Sequence, residues 1–436
     1  MKLLTKAVRG TQDILPSDSY KFRFVQDIML NEAKLYGFKE IRTPIFEHTE
    51  LFDRGVGGDT DVVQKEMYTF NDKGGRSLTL KPEGTVSAAR AMLEHGIFND
   101  ALPLKMTYIT PCYRYEKPQS GRYREFYQFG VEMFGAPSPA ADAEIICLAT
   151  TLFERLGISN LSLEINSIGC PTCRKNYQAA LKNYFSAYKN ELCETCVKRL
   201  EKNPMRIVDC KNSDCQKISQ NAPNIIDFLC EDCRKHFDDV KKYLDNSNIE
   251  YKINPKIVRG LDYYTKTVFE FVAKDDAQRG LVCGGGGRYD GLVEEIGGIS
   301  MPAVGFGIGV ERLLLLMESQ EIEIPQPKKC DIFIATADEN AYFMALCLAK
   351  TLREASFYAE FDVVGRGLKA QLKYAGKINA KFCLVLGESD LSLGKAEVKN
   401  MSTGEKYSVR LDGNFLHDFV AAEASCELKG LNLLND

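Results

Sequence analysis

No stretch of the 436 residues is long and apolar enough to cross a bilayer, which argues against a membrane-spanning helix. The opening MKLLTKAVRG carries lysine but no sustained apolar run, so no secretory signal is expected and a cytoplasmic location is. An excess of positive charge is also missing. With 56 Lys and Arg against 60 Asp and Glu, the net charge of -4 gives no bulk attraction to nucleic acid, so local basic patches are the only electrostatic route to an RNA. The glycine run CGGGGRY (283–289) has neither a Walker lysine nor a strand-to-helix GxGxxG setting; it reads as a tight wall against a small substrate rather than as a phosphate loop. What the chain has is 44% hydrophobic residues, enough for two or three cores.

The densest chemistry lies at 113–134, YRYEKPQSGRYREFYQFGVEMF. Aromatic residues at alternate positions flank a Pro118-Gln-Ser-Gly121 turn cluster, the pattern of a strand, a turn and a second strand. Residues two apart on a strand share a face, so Gln128, Gly130 and Glu132 form one row, and Arg114 and Glu116 are expected in the partner row. Guanidinium forks suit phosphate oxygens, while a carboxylate suits an amine or a protonatable ring. The surface therefore fits a ligand with both phosphate and cationic parts.

This segment resembles motif 2 of the class II aminoacyl-tRNA synthetases, in the form found in the histidyl-tRNA synthetase family. Three further segments agree in order: GFKEIRTPIFEHTELFDRGVG (37–57) is similar to motif 1, RGLDYYTKTVFEF (259–271) resembles the histidine signature, and AVGFGIGVERLLLL (303–316) resembles motif 3. The resemblance implies an α/β chain with an α+β catalytic core: an antiparallel sheet flanked by helices, a helical insertion, and a C-terminal α/β anticodon-binding domain. The domains are expected at 1–168 and 252–325 for the core, 169–251 for the insertion and 329–436 for the C-terminal domain. Motif 1 implies a homodimer.

The same resemblance implies ligation of L-histidine to tRNA(His) through a histidyl-adenylate, with ATP as substrate and Mg2+ beside it. Arg114 and Arg259 are the expected catalytic residues, and Arg114, Arg122 and Arg312 the expected ATP ligands. Arg312 lies on the first turn of a helix, where a cation opposes the macrodipole, which points to retention for a ligand. Glu83, Thr85 and Gln128 are expected at the α-ammonium of histidine, with Glu132 and Tyr264 at the imidazole and Tyr263 lining the pocket. Taken locally, without the resemblance, Glu83 reads first as an ordinary acidic residue favouring a helix start. A pocket that hydrogen-bonds a polar substrate needs no editing domain, and none is evident.

Cysteine is abundant and unevenly placed. Of the 15, Cys170-x-x-Cys173, Cys193-x-x-Cys196, Cys210 with Cys215, and Cys230-x-x-Cys233 fall in one lysine-rich helical stretch. By spacing they suit two structural zinc sites; the family requires no metal here, and the thiols read equally as small hydrophobes, so both readings stand open.

Beyond a proline-marked linker near 325–327, the pattern 331–335, 340–355, 358–363, 368–378 and 382–386 alternates strand and helix, predicting a small, mostly parallel sheet. Lys369, Lys373 and Lys377 form one basic stripe on a helix there, which the resemblance implies is a phosphate contact to the anticodon stem. Three competing functions are a histidine-binding regulatory paralog of a biosynthetic enzyme, a synthetase-like sensor domain, and a class II ligase for another amino acid. The first is expected to lack the C-terminal domain and the ATP arginines; the third, the 259–264 signature.

Overall fold

The computed structural model describes residues 4–58, 60, 62–210, 212–257, 261–274 and 280–432, with side chains to 426. Arg259 lies outside the described residues. The chain forms two compact units, Met1–Pro325 and Gln326–Asp436.

In the first unit, helix α1 (Ser19–Leu35) buries Val25, Met29 and Ala33 at helical spacing and stops before Gly37, whose φ of 82° is the left-handed conformation of a C-terminal glycine. Strand β1 (Lys39–Glu40) follows. A small antiparallel sheet then runs from β2 (Phe46–His48) through short helix α2 (Thr49–Phe52) to β3 (Tyr68–Asn71) and β4 (Ser77–Leu80), and β4 feeds α3 (Thr85–Glu94).

The floor of the unit is an eight-stranded sheet. Its two longest strands, β5 (Leu104–Tyr113) and β6 (Glu125–Phe134), pair antiparallel in unbroken register from Leu104 with Phe134 to Tyr113 with Glu125. After α4 (Pro139–Arg155) come β7 (Leu161–Ser167) and five insertion helices: α5 (Pro171–Ser186), α6 (Glu194–Lys202), α7 (Met205–Val208), α8 (Ser213–Ser219) and α9 (Glu231–Asn246). The chain returns to the sheet through β8 (Lys252–Ile253), β9 (Thr265–Ala273) and β10 (Val282–Arg288), then α10 (Leu292–Glu295), β11 (Ala303–Gly309) and α11 (Val310–Ser319). The order is β1-β5-β6-β11-β10-β9-β7-β8, antiparallel except for the two short edge strands.

Alternation along β6 separates two cores. Phe129, Val131 and Met133 face a layer of α1, α4 and α11, where Ile145, Leu152, Leu313 and Leu316 are fully buried. Gln128, Glu132 and Phe134 face the other way, toward α3 and Tyr108, Tyr263, Tyr264 and Tyr289. The partner row differs from the sequence expectation. Met106, Tyr108 and Thr110 stand opposite Glu132, Gly130 and Gln128, whereas Arg114 and Glu116 lie beyond the ladder, in the loop joining the strands. The glycine run is likewise a strand, central in the sheet. A Cβ on Gly286 would stand 2.0 Å from the Gly305 carbonyl oxygen, so only glycine lets β10 and β11 approach this closely.

A buried ion pair within the core meets the insertion. Arg288, fully buried, binds Asp142 and donates to the Ala136 and Ser138 carbonyls, while His236 of α9 approaches Asp142 at 3.4 Å. Removing either member of such a pair strands a buried charge.

The second unit pairs β12 (Ile332–Thr336) in parallel with β13 (Ala359–Phe361) and β14 (Phe382–Leu386), with α12 (Ala341–Glu354) and α13 (Leu368–Lys377) as connections. It departs from the expected parallel sheet after α14 (Glu388–Leu393). An antiparallel hairpin, β15 (Lys395–Asn400) and β16 (Lys406–Arg410), extends the sheet before α15 (Phe415–Asn432). Lys369, Lys373 and Lys377 are exposed on α13, whose Gln371 and Ala375 are buried.

Candidate active site

Glu132 is the centre of one half of the site. It is 1% exposed, and its carboxylate accepts from Thr85 Oγ1 at 2.8 Å, from the Tyr108 hydroxyl at 2.8 Å and from the Tyr289 hydroxyl. Burial pushes its pKa up to about 8, and the three hydroxyl donors pull against that rise without cancelling it. Tyr263 and Tyr264 complete an aromatic wall: their rings lie 4.7 Å apart, and Tyr263 meets Tyr289 edge-on at 5.4 Å.

The strand-to-helix junction at 83–86 closes this half. Glu83, also 1% exposed, accepts the Thr85 and Val86 amides at 2.8 and 2.9 Å, satisfying free donors at the start of α3. The local helix-start role read from sequence is thus real. It does not consume the group, because an ionised carboxylate has about four acceptor sites. Gln128 Oε1 accepts the Gly84 amide at 2.8 Å and the Cys112 thiol at 3.6 Å.

Sequence reasoning missed Tyr108 and Tyr289. The clue to Tyr108 lies in two glycines remote from it: a Cβ on Gly84 or Gly130 would stand 2.2 or 2.3 Å from its ring. Those glycines make the slot that aims the hydroxyl at Glu132. Tyr289 directly follows the glycine strand and pointed to nothing by itself.

The other half is a cavity of about 290 Å³ over β6, β9, β10 and β11. Arg114, Arg122 and Arg312 line it, with Glu270, Gln128 and Glu311. Arg114 Nε donates to the Pro82 carbonyl at 2.8 Å, and its guanidinium lies 5.5 Å from the Phe126 ring centre. Arg312 is anchored by the carbonyls of Gly121 at 3.2 Å and Val282 at 2.8 Å, and Arg122 pairs with Glu116. Burial lowers the Arg312 pKa, and the Arg122 and Arg114 charges lower it further. Three guanidinium groups close enough to repel one another across one cavity make a site for a polyanion.

Glu311, missed in the sequence, accepts the Tyr127 amide with both oxygens at 2.9 and 3.1 Å, and burial raises its pKa to about 7. Gln128 lines the cavity and borders the Glu132 half, so the two halves meet on β6.

Comparison with known proteins gives these features a context. The histidyl-tRNA synthetase family model matches residues 10–194 and 205–313, and an anticodon-binding domain model matches 330–419. A histidine–tRNA ligase of Caldanaerobacter subterraneus is 56% identical over 410 residues, 94% of this chain and 98% of that one. The crystal structure of apo S. aureus histidyl-tRNA synthetase superposes with a TM-score of 0.80 at 40% identity, covering 95% of this chain and all of the other. A Bacillus halodurans structure described as an ATP phosphoribosyltransferase regulatory subunit/histidyl-tRNA synthetase shares the fold at 22% identity, with a TM-score of 0.64 over 89% of this chain and 99% of that one.

Proposed function

The chain belongs to the histidyl-tRNA synthetase family, and on that premise we propose how its residues ligate L-histidine to tRNA(His). A histidine carboxylate oxygen attacks the α-phosphorus of ATP in line, and pyrophosphate leaves to give histidyl-adenylate. The terminal ribose hydroxyl of the tRNA then attacks the activated carbonyl and AMP leaves. Neither step needs a side-chain nucleophile. Both need two anions held together against their repulsion, which is positioning and charge stabilisation.

The observation that carries this reading is the arginine-lined cavity beside the buried Glu132. Arg114 holds the α-phosphate, Arg312 the adenine and γ-phosphate end, and Arg122 the β/γ-phosphates. Arg259 bridges the α-phosphate and the histidine carboxylate. Glu83, Thr85 and Gln128 take the α-ammonium. Glu132 takes one imidazole nitrogen and Tyr264 the other, with Tyr263 against the ring. Tyr108 and Tyr289 keep Glu132 in place by donating to its carboxylate, and with a pKa near 8 the carboxyl itself can donate to, or accept from, the imidazole near neutrality.

Mg2+ fits the cavity chemically. It is typically held by one or two carboxylates plus substrate phosphates; of the acids lining this space Glu116 is paired with Arg122, and the candidates for the ion are Glu311 and Glu270. They would hold the ion, which neutralises charge on the outer phosphates when bound.

The exposed Lys369, Lys373 and Lys377 stripe suits the backbone of the anticodon stem. A second copy suits the surface around 37–57, where Ile45, Phe46 and Phe70 leave apolar area exposed. The location proposed is the cytoplasm, where tRNA is charged. Against a regulatory paralog stand the retained cavity arginines and the anticodon-domain match. Aminoacylation tests the choice: the purified chain should attach labelled histidine to tRNA(His), and failure to do so while still binding histidine would favour the regulatory reading.

A further inference from the structure

We propose that the helical insertion holds two structural Zn2+ ions, one on Cys170, Cys173, Cys230 and Cys233, the other on Cys193, Cys196, Cys210 and Cys215. Within each set the four Sγ atoms all lie within 4.8 Å of one another. A tetrahedral Zn2+ with bonds of about 2.3 Å places its sulfurs about 3.8 Å apart, and Cys170 to Cys173 and Cys193 to Cys210 measure 3.5 and 3.9 Å. An iron–sulfur cluster interposes its own atoms between the thiolates and needs a wider frame. Four thiolates close the tetrahedron and leave no open position, so the sites are structural.

The local backbone repeats one device. Cys170, Cys193 and Cys230 each occupy the N-cap of a helix in extended conformation without making a side-chain cap bond, and each has its partner cysteine three residues later, inside the first turn. Ser, Thr, Asn and Asp are the usual residues there, and Asn212 caps α8 in that ordinary way with two bonds. A thiolate at the same place is stabilised by the helix dipole. Backbone amides also reach the sulfurs across the sequence: Cys230 N donates to Cys173 Sγ at 3.1 Å and Cys193 N to Cys215 Sγ at 3.3 Å. Gly169, with φ 66°, makes room for the first turn, since a Cβ there would meet Cys173 Cβ at 2.4 Å. Cysteine acting as a small hydrophobe explains burial. It does not explain four sulfurs converging twice, from the starts of α5 and α9 and from the starts of α6 and α8 with Cys210 between α7 and α8.

The first site fastens the start of α5 to the start of α9, and it lies beside the substrate pocket. Arg174, the residue after Cys173, donates to the carbonyls of Asp262 and Tyr264 at 3.3 and 3.1 Å. The metal therefore holds the segment that carries Tyr263 and Tyr264. The second site fastens α6 to the α7–α8 segment, where the insertion's own core of Tyr177, Leu181, Phe185, Leu200 and Ile207 is small.

Metal analysis of the full-length protein, purified under reducing conditions without chelator, tests the assignment. About two zinc per chain are expected, about one after Cys173→Ser with Cys233→Ser, and about one after Cys196→Ser with Cys210→Ser. Should either variant fail to fold, loading the reduced wild-type chain with Co2+ gives an independent reading, a tetrahedral tetrathiolate spectrum saturating at two equivalents. Folded protein that retains almost no zinc after Zn2+ is supplied, or whose mass shows these cysteines joined as disulfides, would overturn the proposal.

Discussion

On the sheet, polar side chains are aimed by register and by missing side chains; in the insertion, helices are aimed by their ends. Glu132 stays buried because the ladder of β5 and β6 fixes its row and because Gly84 and Gly130 leave space for the Tyr108 ring against it. Among the described residues the insertion has no comparable sheet, only helices around a modest core, and two clusters of four cysteines, seven of the eight at helix starts, replace the ladder. Extended pairing makes a rigid floor, over which the loop joining β5 to β6 and the start of α11 set the three arginines. Small helical elements bury too little to do so unaided and gain from metal cross-links.

Substitutions on each side should break this comparison differently. The largest expected effect is Arg114→Ala, which should lower kcat/KM for adenylate formation about 10²–10³-fold, the scale of losing one preorganised charge partner. Zinc content should stay unchanged, and steady-state kinetics with metal analysis checks both. Gly130→Ala comes next. Its new Cβ would stand 2.3 Å from Tyr108, so it should cost on the order of 1–3 kcal/mol in thermal unfolding and raise the histidine KM.

Glu132→Gln sharpens the contrast by pH. The folded-state pKa of about 8 lies above the ordinary 4.5, so the native protein holds an extra proton between those values. The contribution of this group to wild-type stability is therefore most favourable below the lower value and falls as pH rises toward the upper one, by up to about 1.4 kcal/mol per unit. Without that titration, the variant should gain in relative melting temperature from pH 5 to 8 while losing histidine binding and keeping ATP affinity. A constant melting difference across that range would refute the assignment. The smallest effect is expected from Arg174→Gln, which loosens the link between the first cysteine cluster and the tyrosine segment. The histidine KM should rise about fivefold, the value of one hydrogen bond near 1 kcal/mol, with the ATP KM unchanged.

Much of the site was legible where a short period governs it. The row of Gln128 and Glu132 follows from alternation, and the turn of α3 places Glu83 and Thr85 at a helix start. Arg114 and Glu116 were misplaced because a turn cluster does not reveal where a ladder ends; the chain leaves β5 at Tyr113, and the arginine reaches the cavity from a loop. The glycine strand was hidden by its poor strand propensity, which the close approach of β11 overrides. Pairing of the cysteine motifs was equally hidden. Spacing shows the C-x-x-C units, but only the path of α5 to α9 decides that the first joins the last.

The central claim is that the arginine cavity and the Glu132 pocket act on one substrate pair. Pyrophosphate exchange into ATP, measured with each amino acid in turn, tests it most directly. Exchange should appear with histidine alone; exchange driven by another amino acid, or none with folded, metal-replete protein, would contradict it.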